Sequence, residues 1–134
     1  MGWPFITDAA SAVEFMMCVG CLLMGVSHIV QPGMWRAFFT ALHGAGRPAL
    51  VTRTFMLEFW PALILVTLHQ VWFGPGIVLT LYGWVLLAKC TLSMLWPDIG
   101  MRSLALAQRG DRGFVAGGIV LACVGICAGL ALLW

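Results

Sequence analysis

Long apolar segments alternate with short polar ones along this chain, and the apolar segments define its architecture. Four of them approach the roughly 20 residues that a helix needs to cross about 30 Å of hydrocarbon. They cover residues 10–30, 54–73, 77–96 and 114–134. Because every backbone polar group inside a bilayer must find an internal partner, helices are the structure expected for these segments. The pattern predicts an all-α polytopic membrane protein, a single domain with four transmembrane helices in an antiparallel bundle.

The connecting segments differ in charge, and this difference predicts an orientation. Residues 31–53 and residues 97–113 carry three arginines each, whereas residues 73–76 form a short turn without charge. Cytoplasmic loops of membrane proteins are enriched in Lys and Arg. We therefore expect both arginine-bearing segments in the cytoplasm and both termini outside.

The first connecting segment has a pattern that is typical of a short amphipathic helix. Trp35, Phe38 and Phe39 share one side of such a helix, and Arg36 lies on the other side. We expect an interfacial helix between the first and second spans, on the headgroup region; the alternative is a plain connector. A similar segment begins at Pro97. The similarity of the two segments favours two helical hairpins with the same arrangement. The alternative is that the two segments are similar in composition by chance.

Composition agrees with a membrane protein and excludes other classes. Charged residues make up 9% of the chain and hydrophobic residues 62%, whereas soluble domains average about 25% charged residues. The net charge of +2 is too small, and the arginines are too dispersed, for a nucleic-acid-binding protein. The amino-terminal segment lacks the basic residues of a secretory signal, so we expect it to be retained.

The five cysteines all lie within apolar runs. We interpret them as small packing residues rather than as a disulfide framework. Cys18 and Cys21 match the C-x-x-C spacing, but no second pair and no histidine at ligand spacing accompany them. No two histidines lie at depths from which they share a haem. We therefore predict no metal and no cofactor, and the pattern is compatible with a bound lipid.

One stripe of small and ionisable residues runs along the first predicted span. Glu14, Cys18, Cys21, Gly25 and His28 recur at spacings of four and three residues. This spacing places them on one face of a helix. A membrane helix that is apolar elsewhere directs such a face towards its neighbours.

The same stepping predicts the inward faces of the later spans. In the third span it predicts that Tyr82, Lys89 and Ser93 face inward. In the fourth span it selects small residues, which let membrane helices approach closely. This predicted helix-packing face consists of Gly118, Ala122, Gly125 and Gly129.

The depths of the polar residues predict two layers, of which the inner one lies near the cytoplasm. It contains Ser27, His28, Glu58, Lys89 and Ser93. A charge inside a bilayer costs about 2.5–3.5 kcal/mol or more on its own. One interpretation is a structural staple, in which Glu58 pairs with Lys89 and His28 donates to the pair or to a backbone carbonyl. The other is a binding site for an ion, a proton or a lipid headgroup.

The outer layer contains Glu14, His69 and Tyr82, with Gln70 and Thr80 near them. Amphipathic aromatic residues are common at a membrane interface, so the structural interpretation is favoured here. The residues between the two layers are not titratable and cover roughly two helical turns, about 10 Å. This gap argues against a proton path along the bundle.

Several short runs carry a resemblance to a known group. They are residues 25–32 (GVSHIVQP), residues 69–72 (HQVW), residues 79–84 (LTLYGW), and Lys89 followed by Pro97. In these runs the chain resembles a group of small four-helix bacterial integral membrane proteins, and more loosely the DoxX-like proteins. The resemblance implies a location in the bacterial inner membrane, and it implies no activity.

The sequence is compatible with three classes of function. The small size, the small-residue face and the lack of a chemical constellation favour a non-enzymatic accessory or structural subunit of a larger membrane complex, or a homo-oligomer. The alternative is a small transporter or a lipid- or ion-binding bundle that uses His28, Glu58 and Lys89. A membrane enzyme ranks last, because we find no nucleophile–base pair and no metal set. The expected partners are membrane lipids and other membrane protein subunits or a second copy, and not nucleic acid.

Overall fold

The computed structural model describes residues 4–134, and no strand occurs in that part of the chain. The helices in chain order are α1 (Ala9–Val30), α2 (Pro32–Gly44), α3 (Trp60–Leu68), α4 (Gly76–Leu95), α5 (Pro97–Ala105) and α6 (Arg112–Ala131). A π-helix, Val51–Phe59, leads directly into α3, and a 3₁₀ turn, Leu106–Arg109, follows α5.

Four helical segments are long and apolar enough to cross a membrane, which confirms the predicted fold class. They are α1, the π-helix together with α3, α4 and α6, with mean hydropathies between 1.4 and 2.4. At most 28% of each apolar window is buried within the protein. Most of the apolar surface therefore faces outward, as in a multi-pass membrane protein surrounded by lipid.

The first span begins at a capping box. The Asp8 carboxylate accepts the Ser11 backbone N–H at 2.8 Å, and the Ser11 hydroxyl oxygen accepts the Asp8 backbone N–H at 3.0 Å. These bonds satisfy amide groups that the first helical turn leaves without a partner. The bond from the Ser11 backbone N–H also holds the pKa of Asp8 below its usual value.

Two proline corners give the halves of the chain a common plan. Gln31 (φ −126°, ψ 52°) ends α1, and Trp96 (φ −124°, ψ 85°) ends α4. Proline disfavours the helical conformation for the residue before it and is well suited to the first position of a new helix. A short helix therefore starts at each corner, α2 at Pro32 and α5 at Pro97. The expected short helix between the first two spans is present.

The second span differs from its predicted bounds of 54–73. It starts earlier, at Val51, and ends at Leu68. His69 has an extended conformation (φ −125°, ψ 90°), and residues 69–75 form the connection to α4. The hydroxyl of Thr80 donates to the Val71 carbonyl at 2.7 Å. This bond gives the carbonyl a partner that the helix no longer supplies.

Glycines allow α1 and α6 to pack closely in antiparallel orientation. A methyl group on Gly25 would lie 2.6 Å from the Ala122 nitrogen and 2.7 Å from the Gly118 oxygen. Further along, a methyl group on Gly125 would lie 2.9 Å from the Leu22 nitrogen. The predicted small-residue face of the fourth span is thus covered by α1.

The inward face of α4 is rotated relative to its prediction. Ser93 is buried, as expected, but Tyr82 and Lys89 are only partly buried. The most enclosed positions are Leu79, Thr80, Gly83 and Cys90. A methyl group on Gly83 would lie 2.6 Å from the Leu65 side chain, so the glycine lets α4 approach α3 along this other face.

An apolar core fills the centre of the bundle. Its buried members are Val13, Cys21, Leu65, Leu79, Val124 and Ala128. The core separates two polar clusters near the two ends. We call these ends the Asp8 end, where α1 begins and residues 69–75 lie, and the Arg53 end, where α2 and α5 lie.

Candidate functional site

A buried polar cluster occupies the Asp8 end of the bundle. His69 Nε2 lies 2.9 Å from Glu14 Oε1, and His69 Nδ1 lies 3.0 Å from Thr80 Oγ1. The His69 side chain is fully buried, and 8% of the Glu14 side chain is exposed. These three residues, the Glu14 cluster, come from α1, from the connection after α3, and from α4.

The hydrogen bonds of Thr80 determine which nitrogen of His69 carries a proton. The Thr80 hydroxyl is surrounded by the carbonyls of Val71 at 2.7 Å and of His69 and Gly76 at 3.4 Å. The Val71 carbonyl is the nearest of these acceptors, and we assign the single hydroxyl hydrogen to it. With this assignment the Thr80 oxygen accepts from His69 Nδ1–H.

This assignment leaves one proton between His69 Nε2 and Glu14 Oε1. Either Nε2 is protonated and faces a carboxylate, or Nε2 is a lone pair that accepts from a protonated carboxyl group. The pair has no net charge in both forms. Without that proton, two acceptors would face each other at 2.9 Å, with one negative charge on a buried carboxylate.

The same geometry argues against hydrolytic chemistry at this cluster. In a catalytic triad the histidine accepts the proton of the nucleophilic hydroxyl. Here the Thr80 hydroxyl donates to a backbone carbonyl, and His69 donates to the Thr80 oxygen. Thr80 therefore orients the imidazole and is not placed as a nucleophile.

A cavity of about 210 Å³ opens at the Asp8 end and reaches Glu14. The polar side chains along it are Asp8, Ser11 and Glu14, which follow one another down the first turns of α1. Phe73 and Trp134 contribute aromatic walls, and none of the described lining residues is basic. The hydrogen bond to His69 uses Glu14 Oε1, so Oε2 is the carboxylate oxygen left for the cavity.

Gly76 keeps this cavity open. A methyl group at this position would lie 2.8 Å from the Val71 side chain and 3.5 Å from Glu14 Oε1. Any larger side chain would therefore displace the wall of the cavity or press on the carboxylate.

A second cluster, near the Arg53 end, contains the predicted pair of Glu58 and Lys89. Lys89 Nζ donates to both carboxylate oxygens of Glu58, at 2.8 Å and 3.0 Å. Arg53 joins the pair with its Nε 3.6 Å from Glu58 Oε1, and we call these three residues the Glu58 cluster. Arg53 also donates to the Ser103 hydroxyl at 3.0 Å, and its guanidinium lies over the ring of Phe39. The cluster therefore ties the second span to α4, α5 and α2.

The π-helix explains why Arg53 was absent from the sequence-based cluster. Residues five apart in an α-helix point about 140° away from each other. In a π-helix the hydrogen bonds run from residue i to residue i+5, so Arg53 and Glu58 stack on neighbouring turns. A sequence pattern that assumes 3.6 residues per turn therefore does not place these two residues on one face of the helix.

Burial makes the charges of the Glu58 cluster interdependent. Only 9% of the Arg53 side chain is exposed, and its Nε and Nη1 make no hydrogen bond within the described chain. The negative charge of Glu58 and the face of Phe39 compensate this guanidinium. Because Glu58 serves both cations, the arrangement has the form of a structural staple.

The other predicted members of the inner layer lie apart from this cluster. His28 Nδ1 is 2.7 Å from the Met24 carbonyl, and its ring stacks on Trp35 at a centroid distance of 4.1 Å. The Ser27 hydroxyl accepts from Trp35 Nε1 at 2.9 Å. Ser93 is buried against Gly100 of α5. The expected convergence of His28, Ser27 and Ser93 with Glu58 and Lys89 is therefore not found, because α2 and α5 fold back to contact them.

The predicted residues of the short helix attach α2 to the bundle. Besides the contacts of Trp35, Arg36 forms an ion pair with Asp111 at 3.2 Å, and Phe39 packs on Phe114. Phe38 contacts Phe39 edge to face and is 40% exposed. No residue of α2 is buried. The helix therefore lies on the surface of the bundle, as an amphipathic helix does.

Two predicted neighbours of the outer layer do not belong to the Glu14 cluster. Tyr82 packs against the apolar core instead. Gln70 is exposed and donates to the Val66 carbonyl at 2.6 Å. Thr80 is the third member of the cluster, and the rotation of α4 brings it inward.

Comparisons with known proteins give no family for this chain. No protein-family model, no curated protein sequence and no solved structure matches it. Its similarity to small four-helix bacterial membrane proteins therefore stays a prediction. Within residues 4–134, no group of three or more His, Cys, Asp or Glu side chains is arranged to hold a metal ion.

Proposed function

We propose that this protein is a non-enzymatic ion-binding bundle of a membrane, in which the Glu14–His69 pair takes up and releases an ion from the Asp8 end. One observation carries the proposal. A carboxylate and an imidazole share a single proton at the inner end of a cavity that opens to that end. Buried ionisable groups that face a cavity in a membrane protein commonly mark ion or proton sites.

The Glu58 cluster is less suited to that function. Its carboxylate already accepts two bonds from Lys89 and lies beside Arg53. Glu14, in contrast, has one hydrogen-bonding partner among residues 4–134 and lines an open space. The packed residues between the clusters, Leu65 and Leu79 among them, also separate the Glu14 cluster from the Arg53 end. Binding from one side is therefore proposed, and not a continuous path.

Nitrogen NMR of the histidines tests this proposal. The chain has three histidines, so ¹⁵N-histidine labelling of the purified protein gives a simple spectrum, and His69→Gln assigns the His69 signals. We expect Nδ1 of His69 to carry a hydrogen and the Nε2 signal to report the proton shared with Glu14. In Glu14→Gln the carboxylate is absent, so the Nε2 signal should shift while the Nδ1 signal stays that of a nitrogen with a hydrogen.

His28 and His43 serve as internal controls, and Glu58→Gln is the matched carboxylate variant at the other cluster. Neither the signals of these two histidines in Glu14→Gln nor those of His69 in Glu58→Gln should change. The proposal fails if the His69 Nε2 signal of Glu14→Gln is the same as that of the wild-type protein.

The proposed location is the bacterial inner membrane, with the Arg53 end in the cytoplasm and both termini outside. Both arginine-bearing segments lie at that end, where Arg47 and Asp98 pair at 3.0 Å, and such segments are retained on the cytoplasmic side. Single cysteines at Asp98 and Phe73 in a cysteine-free variant would test the orientation. A membrane-impermeant thiol reagent added to intact cells should label the cysteine at position 73 and not the one at position 98.

The accessory-subunit or homo-oligomer function stays a prediction beside this proposal. The small-residue face that motivated it is covered by α1, so the outward apolar faces would have to serve instead. Native mass spectrometry after gentle extraction distinguishes the two: a stoichiometric assembly with other subunits supports the accessory function, and a monomer with a bound small mass does not.

A further inference from the structure

We infer that the cavity at the Asp8 end binds a small organic ammonium ion, and that binding releases the proton held between Glu14 and His69. This inference rests on the proposed function and names the class of ligand. It is drawn from the charge, the walls and the size of the cavity, and from the shared proton at its inner end.

The charge of the lining selects a cation. Its polar side chains are the carboxylates of Asp8 and Glu14 and the hydroxyl of Ser11. Asp8 lies at the exposed rim, where its carboxylate is fixed by the Ser11 backbone N–H. Glu14 lies two turns deeper and is almost fully buried. The Asp8 carboxylate would repel an anion at the rim, whereas a cation passes it and reaches the Glu14–His69 pair, which becomes negative when its proton leaves.

The walls select an organic cation over a metal ion. Phe73 and Trp134 present aromatic rings, and Val71 and Pro75 add apolar surface. A substituted ammonium ion is favoured next to an aromatic face and needs no complete shell of oxygen ligands. A hard metal ion needs a shell of oxygen ligands, and the aromatic and apolar side chains of this cavity supply none.

The size limits the ligand. A volume of about 210 Å³ suits an ion of the size of choline. Gly76 sets the limit on one side, because a methyl group there would already crowd Val71.

Charge balance couples binding to loss of the proton. Before binding, the Glu14–His69 pair has no net charge. An ammonium ion beside Glu14 would leave a buried excess of one positive charge if the proton stayed. When the bond from the proton to Nε2 or Oε1 breaks and the proton passes to water, the carboxylate and the ammonium ion balance each other, and His69 remains neutral with its proton on Nδ1. The titratable side chains that face the site are Asp8, Glu14 and His69, and α4 contributes only the uncharged Thr80.

Isothermal titration calorimetry of the purified protein in nanodiscs, with choline chloride as the probe, tests the inference. We expect saturable binding whose heat differs between phosphate and HEPES buffers by the difference in their ionisation heats for about one proton per choline. The uncharged isostere 3,3-dimethylbutan-1-ol should not bind, and potassium chloride at equal ionic strength should give no saturable heat.

Three variants make the test specific. Glu14→Gln should abolish choline binding, and Trp134→Ala, which changes an exposed side chain, should weaken it by roughly 2- to 30-fold, as for the loss of one cation–π contact. Asp98→Asn, at the opposite end, should bind as the wild-type protein does. Equal binding of choline and its isostere, unchanged affinity in Trp134→Ala, or heats that are independent of the buffer would each overturn the inference.

The outcome can be separated from that of the proposed function. If the His69 Nε2 signal responds to Glu14→Gln but choline does not bind, only the class of ligand is refuted. If the Nε2 signal does not respond, the proposed function fails together with the inference.

Discussion

Two glycines in α1, five residues apart, should respond in opposite ways to the same substitution. A methyl group on Gly25 would lie 2.6 Å from a backbone nitrogen of α6, whereas a methyl group on Gly20 would meet nothing within 4 Å. Gly20→Ala adds only helix propensity, which is worth up to about 1 kcal/mol. Gly25→Ala adds the same propensity and a collision with backbone that cannot rotate away.

The magnitude follows from the displacement that the collision requires. Ordinary contact begins near 3.4 Å, so α1 and α6 must separate by about 0.8 Å at Gly25. A radial gap of ~0.5–1 Å removes a quarter to a half of the dispersion energy of each atom pair, which is itself about 0.1–0.2 kcal/mol. Over some tens of pairs along this interface, and in line with other overpacked sites, the loss is about 1–3 kcal/mol.

Unfolding in mixed micelles with increasing SDS, followed by tryptophan fluorescence, measures both variants. Gly20→Ala should unfold at the same or a higher SDS fraction than the wild-type protein, and Gly25→Ala at a clearly lower one. The close approach of α1 and α6 through Gly25 would be refuted if the two variants unfolded together.

Two further predictions concern the charged residues. Lys89→Met should reduce the free energy of unfolding by about 1–2 kcal/mol, a modest value because 38% of the Lys89 side chain is exposed; adding Glu58→Leu should reduce it further, because the buried Arg53 guanidinium then loses the carboxylate beside it, and a double variant more stable than Lys89→Met would contradict the staple. Asp8→Ala should speed hydrogen exchange at the Ser11 amide. Because the pKa of Asp8 is lowered in the folded protein from 3.8, its contribution is present above about that pH and is lost as the pH falls further through the folded-state pKa. The Ser11 amide of the wild-type protein should then exchange as in Asp8→Ala, and an Asp8→Ala amide that is protected at neutral pH would contradict the cap.

Local sequence signals were sufficient for the elements of this fold. The apolar runs have the length of membrane-spanning helices, and Pro32 and Pro97 mark the corners at which short helices begin. The pairing of Glu58 with Lys89 was also predictable, because an isolated charge inside an apolar bundle is unfavourable enough to require a partner.

The two polar clusters could not be predicted in full from the sequence, because their residues come from segments that are distant along the chain. Arg53 reaches Glu58 because the second span begins as a π-helix, and its guanidinium contacts Ser103 and Phe39 from other helices. His69 meets Glu14 at a position where the sequence pattern continued the helix. Its imidazole also contacts Thr80 of α4.

The sequence by itself determined the number of spans, the corners between them and the residues that are expensive to leave unpaired in lipid, because these follow from helix length, proline geometry and charge. The tertiary structure decided which face of each helix turns inward and which polar groups meet. Small residues such as Gly25 and Gly83 set those faces by allowing backbones to approach, and the packing of α4 placed Thr80 rather than Tyr82 beside the imidazole of His69. Neighbouring faces of an apolar helix show nearly the same hydrophobic periodicity, so the sequence pattern does not distinguish them. The fit between the helices decides which face is buried.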